Sequence, residues 1–226
     1  MLFDDLKARG FDVLALHHAE AIITHDMPEA EKDIDRVLCS LEIPITELVA
    51  GGGGEAQGTQ RMRRALSDLG WVKRNIGIRK TVRWDDESDE QVVASLSHEI
   101  DHVKTFGPMN WAIALEIEWN NKDPFFDRDL ENFKRLHAEG AISVGALITR
   151  GESLHRSMRT LLRRFIDQKG IDAVEALGEF GYRPTRRQQD IIERAAKRSG
   201  DFRQAWVDAF VRAESDQVAS YPAALK

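Results

Sequence analysis

Trp111-Ala112-Ile113-Ala114-Leu115-Glu116-Ile117-Glu118-Trp119 alternates between two kinds of position. In an extended chain, Ile113, Leu115, Ile117 and Trp119 fall on one side, and Ala112, Ala114, Glu116 and Glu118 on the other. That period predicts a β-strand held in a core by its apolar side. Glu116 and Glu118 then project from the same face, about 7 Å apart. They repel one another and gain nothing from packing, so they need a cation, a basic partner or open solvent. An edge strand with a solvated polar face meets the last of these conditions. Spacing alone leaves that reading open.

The segments on either side fill out an architecture. Glu99 to Val103 reads as a short strand and Phe106-Gly107-Pro108 as a turn. Phe125 to His137 reads as a helix with Leu130, Phe133 and Leu136 facing inward, ended by Gly140. Ile142 to Ile148 is apolar throughout, as in a strand buried inside a sheet. Strand, strand, helix, strand in this order predicts an α/β core with one parallel crossover.

Farther upstream, Trp71 to Trp84 has strand composition, and the acidic stretch Asp85 to Glu90 reads as a solvated loop. Thr59 to Leu69 is an amphipathic helix with Met62, Leu66 and Leu69 on one side, preceded by a flexible Gly51–Gly54 segment. Ala19 to Ile23 and Glu29 to Leu41 have helical spacing, broken at Ile43-Pro44-Ile45. From Gly151 onward the pattern is mainly helical, with Thr185 capping Arg186 to Arg198. There is no internal repeat or clear linker. The expectation is one domain over 1–226, with a core near 95–150 and a helical part near 151–226.

Composition sets outer limits. The chain has 226 residues, enough for one well-buried core, with 42% hydrophobic and 31% charged residues, as in a soluble globular protein. No apolar run approaches the roughly 18 residues of a membrane span. Acidic residues among Met1 to Phe11 are unlike a signal peptide. Cys39 is the sole cysteine, which excludes an intramolecular disulfide and suits a reducing cytoplasm. It reads as a small core residue. A net charge of −6 argues against nonspecific coating of nucleic acid, although a local basic face is compatible with it.

A turn after the preceding strand brings Asp101 opposite Glu116. Three carboxylates at the end of a buried sheet make an oxygen-rich site suited to Mg²⁺. Such an ion polarises a phosphoryl oxygen and lowers the pKa of bound water.

The runs Asp101-His102-Val103-Lys104, Ala114 to Asp123, Phe126-Asp127-Arg128-Asp129-Leu130 and Ala141 to Arg150 together resemble the BglII/BamHI-type restriction endonucleases. The similarity is dense there and looser in the helical N-terminal third. The resemblance implies a restriction-endonuclease-like fold, a mixed central β-sheet flanked by helices, with helical N- and C-terminal segments. These enzymes are similar to the wider PD-(D/E)xK nucleases, and Glu118 stands where that group has Lys. On the resemblance, Asp101 and Glu116 are metal ligands, and Glu118 orients or deprotonates the attacking water. The implied cofactor is Mg²⁺, with Mn²⁺ able to substitute. The implied partners are double-stranded DNA, a second copy of the chain and a matching methyltransferase, in a bacterial cytoplasm. The ending Ser220 to Lys226 departs from the family, which has a Ser/Thr-rich segment and a final Gly-Cys-Pro strand.

Lys104 reads either as a phosphate contact or as a plain surface lysine. Asn120, Asn121 and Lys122 leave the carboxylate strand directly and are the expected DNA contacts. Glu55 is either an additional acidic residue or a favourable charge at a helix N-terminus. Two arginine groups, Arg156 to Arg164 and Arg183 to Arg198, are interspersed with acids, as on ordinary solvated helices.

Two other functions compete. His98-Glu99-Ile100-Asp101-His102 matches the HExxH pattern of zinc peptidases, which requires a helix so that His98 and His102 share a face and Glu99 acts as base. A protein that binds DNA on the same fold without cutting is the other.

Overall fold

The computed structural model describes residues 1–50, 56–84, 91–118 and 123–218. Four strands form one sheet in the order β1 (Val72–Val82), β2 (Gln91–Phe106), β3 (Trp111–Glu118), β4 (Val144–Thr149). The first three run antiparallel, and β4 lies parallel to β3, reached through a helix over Asp123–Ala138. This is the mixed α/β sheet with one parallel crossover that the sequence predicts.

Among the described residues, five α-helices precede the sheet: α1 (Asp4–Ala8), α2 (Ala19–Ala21), α3 (Pro28–Ser40), α4 (Ile45–Ala50) and α5 (Gln57–Asp68). The crossover helix is therefore α6. The helix expected over Ala19 to Ile23 is realised as α2 followed by a wider turn over Ile22–Asp26, closed by the Met27 N–H donating to the Ile22 carbonyl at 3.2 Å.

The alternation of β3 decides its neighbours. Ile113 and Leu115 are wholly buried against Leu6, Ile34, Met62, Leu66 and Trp71, with Ile117 packed beside them. Ala114 faces the opposite way, into a cluster of Ile100, Val103, Phe133, Leu136 and Ile142 under α6. Burying Ile113 and Leu115 contributes roughly 2 kcal/mol each. That anchor holds the acid-bearing face of β3 towards α6. Trp119, expected on the apolar side, lies outside the described residues.

β2 is 16 residues long, far longer than the expected Glu99–Val103. Its far half pairs only with β1, through contacts such as Ile78 with Leu96 and Lys80 with Ala94. Val72 pairs with Val103 and Arg74 with Ile100, so two steps of β1 oppose three of β2. The extra residue makes a bulge at Asp101–His102, the kind of kink that re-aims side chains near a site.

Two glycines are required by space. Gly107, in the turn between β2 and β3, has φ +67°, and a Cβ there would lie 3.2 Å from the Trp111 ring. Gly145 on β4 faces Phe133 of α6 so closely that a Cβ would stand 2.5 Å from its ring. This contact sets how near α6 approaches the sheet.

After β4 come α7 (Glu152–Gln168), α8 (Val174–Leu177), α9 (Arg186–Ser199) and α10 (Phe202–Val218). Their apolar faces form a cluster around Trp206 with Phe165, Leu162, Phe210 and, from α4, Val49. Thr185 caps α9 as expected, in a reciprocal capping box with Gln188. Among the described residues, no helix is long and apolar enough to cross a membrane.

Candidate active site

Glu116 and Glu118 stand on the α6-facing side of β3 and are 6% and 5% exposed. The solvated edge-strand reading therefore does not apply. A buried charged carboxylate costs several kcal/mol, so the local partners decide its state. Glu116 Oε1 accepts a hydrogen bond from the backbone N–H of Asp101 at 3.1 Å. Glu118 Oε1 lies 4.0 Å from an Arg128 guanidinium nitrogen, and Glu118 Oε2 is buried with no hydrogen-bond partner.

α6 adds a third acid that the sequence reading passed over. Asp129 is 2% exposed and stands beside Glu118, with one Arg128 guanidinium nitrogen near both. Its Oδ1 accepts from the Arg128 Nε at 2.9 Å, while Oδ2 has no partner. The inward residues of α6 are Phe126, Asp129, Phe133 and Leu136. Leu130, expected on that face, is 46% exposed. The signal was present in the spacing, since 126, 129, 133 and 136 trace one helical stripe. Preference for an apolar residue over an acid obscured it.

Asp101 behaves differently. Its backbone meets Glu116, but its carboxylate is exposed and pairs with Lys73 at 3.4 Å. Lys73 also binds Glu99 at 2.7 Å. Among the described residues, no three carboxylate, histidine or cysteine side chains converge closely enough to cage a metal ion. The structure thus joins Glu116 and Glu118 to the Asp101 backbone and to Asp129, and leaves the Asp101 carboxylate at the margin.

Lys104 sits on the other face of the sheet, beside Ile113 in register. Its ammonium donates to Asp33 at 2.6 Å and to the Leu69 carbonyl at 2.7 Å. Through these bonds Lys104 ties β2 to the N-terminal helices. Glu55, Asn120, Asn121 and Lys122 lie outside the described residues.

The HExxH reading fails on geometry. Its residues lie in β2, where four residues span roughly 13 Å, too far for His98 and His102 to bind one zinc ion. Glu99 is engaged with Lys73, and His102 Nδ1 lies 3.3 Å from the Leu115 carbonyl oxygen. Three arginines of the C-terminal part form ion pairs that link its elements. Arg159 pairs with Asp208, Arg163 with Asp167 and Asp201, and Arg203 with Asp167 and Asp172.

Burial pushes the Glu116 carboxyl up to about 7; the Asp101 N–H opposes this, and the Asp101 and Asp129 charges add to it. Glu118 is raised by burial first, then by the neighbouring Asp129 carboxylate and the charge of Glu116. Both groups bind protons more tightly folded than unfolded. Their stabilising contribution is therefore complete below the ordinary glutamate range and is lost as pH rises through about 7. Thermal melts in EDTA are expected to show stability falling from pH 5 to 8, by up to about 1.4 kcal/mol per unit for each group. Glu116→Gln should flatten that slope. Equal slopes for variant and wild type would show that Glu116 is not held protonated.

The donor set is carboxylate oxygen, with buried and unpartnered atoms among it, and this suits a hard divalent ion. Comparison with curated individual proteins finds no match. Comparison with protein families matches residues 11–210 to the restriction endonuclease BglII/BglIII family. That span includes the whole sheet, α6 and the three buried acids. The chain belongs to the BglII/BglIII restriction endonuclease family, and is thus an endodeoxyribonuclease.

Proposed function

We propose that this type II restriction endonuclease hydrolyses double-stranded DNA by direct attack of water, with Mg²⁺ as cofactor and Mn²⁺ able to replace it. The observation that carries the reading is the burial of Glu116 and Glu118 side by side at the end of β3, with Arg128 no nearer than 4.0 Å to Glu118. Asp101 and Glu116 hold the ion, and Glu118 orients and deprotonates the water. A bound divalent ion supplies Lewis acidity towards the phosphoryl oxygen. The Asp101 carboxylate is exposed in its pair with Lys73, and exposed, screened pairs exchange at little cost. The backbone N–H of Asp101 fixes one Glu116 oxygen and leaves the other for a ligand.

Asn120, Asn121 and Lys122 follow this strand in the chain and contact the DNA. Two copies related by a two-fold axis cut the two strands of a symmetric site. The enzyme works in a bacterial cytoplasm beside a methyltransferase that protects the host DNA.

Digestion of plasmid and phage DNA by the full chain tests the proposal. Discrete bands are expected with MgCl₂ or MnCl₂, and intact DNA in EDTA. A smear would replace sequence-specific cutting with nonspecific cleavage. Intact DNA at every metal, together with retention in a gel shift, would identify a binding protein that does not cut.

A further inference from the structure

Asp129 has no part in the catalytic roles that the resemblance implies, yet it is the most buried of the acids at the site. Its Oδ1 is occupied by Arg128, and its Oδ2 has no partner. Glu118 Oε2 is likewise buried and unpartnered, and one Arg128 guanidinium nitrogen approaches both side chains. Two acids are brought together from β3 and α6, and each keeps one buried oxygen with no hydrogen-bond partner among the described residues. Arg128 meets the pair at the other two oxygens, 2.9 Å from Asp129 Oδ1 and 4.0 Å from Glu118 Oε1.

We infer that Glu118 Oε2 and Asp129 Oδ2 together bind a divalent cation, making Asp129 a metal ligand supplied by the crossover helix. The inference rests on reading Glu118 as part of the cleavage site. Mg²⁺ is commonly held by one or two carboxylates, with water filling its remaining positions. Two buried oxygens match that requirement without a third protein ligand. Glu118 Oε1 is left for the attacking water, so its two oxygens divide the work.

Calorimetric titration of the DNA-free full chain with MnCl₂ tests this, alongside cleavage assays on the same preparations. Wild type is expected to bind Mn²⁺. Asp129→Asn keeps the shape and removes the charge, and should weaken binding at least about ten-fold. Its melting temperature in EDTA should equal or exceed that of wild type, because a buried carboxylate is removed. Arg128→Gln removes a positive charge beside both acids and should tighten binding.

Wild-type affinity in Asp129→Asn would overturn the inference, as would a lower melting temperature in EDTA, which would assign Asp129 to the fold through Arg128. Should that variant not fold, Arg128→Gln decides, and unchanged or weaker Mn²⁺ binding overturns the inference. A wild type that cuts DNA while either variant fails these tests leaves the nuclease reading intact. A wild type that neither cuts nor binds Mn²⁺ removes both.

Discussion

Glu116→Ala is expected to abolish DNA cleavage, with a loss of about 10³-fold or more in rate. Several kcal/mol of charge stabilisation at a metal-assisted phosphoryl centre is at stake, and each 1.36 kcal/mol is about a factor of ten. Neither described neighbour stands in for the Glu116 carboxylate: Asp101 is turned to Lys73, and Asp129 is held by Arg128. Glu116→Gln is the sharper companion, because an amide oxygen can still accept the Asp101 N–H while the charge is lost. Both variants should remain folded in EDTA, as shown by melting curves. Plasmid nicking within ten-fold of wild type by either variant would remove Glu116 from the chemistry.

Gly145→Val should have the largest effect on stability. Even a bare Cβ at this position would stand 2.5 Å from Cγ and 2.8 Å from Cβ of Phe133. Neither atom is the far end of a flexible chain, so α6 must move off the sheet. Overpacking of a well-filled core costs typically about 1–3 kcal/mol, and the two extra methyls of valine place this case at the upper end. The helix that moves carries Asp129, so cleavage should fall along with stability. Combining Gly145→Ala with Phe133→Ala should cost less than the two separate losses added together, because removing the ring relieves the clash. Strict additivity in urea melts would mean that the two residues do not press on one another.

The two-residue period of β3 was legible because both of its faces carry unambiguous chemistry, isoleucine and leucine on one and glutamate on the other. The same clarity applied to α6, β4 and the α9 cap, whose limits fall close to the expected ones. The length of β2 was not legible, since Gln91 to Ser97 is exposed and polar in part and pairs only with β1. Within it, the histidines at 98 and 102 suit a helix or a strand equally, and only the pairing with β1 and β3 decides.

Side-chain commitments were the least legible of all. Lys104 sits three residues after Asp101, but the strand carries it to the opposite face, where Asp33, distant in sequence, claims it. Asp129 escaped for a different reason. Reading the inward side of α6 by hydrophobicity selects Leu130, because an acid inside a core is normally an error. Here the acid is inside and the leucine outside. Where a rule of burial is broken by neighbouring residues, the exception points to chemistry.

The anchor of Glu116 has a consequence for heredity. Its donor is the main chain of residue 101, which every amino acid except proline carries. Drift at codon 101 can therefore alter the carboxylate without disturbing the posture of its neighbour across the ladder. A lineage can lose one acid and keep the other poised. Activity given up by such a change is recoverable by a single reversion, with no refolding of the strand required.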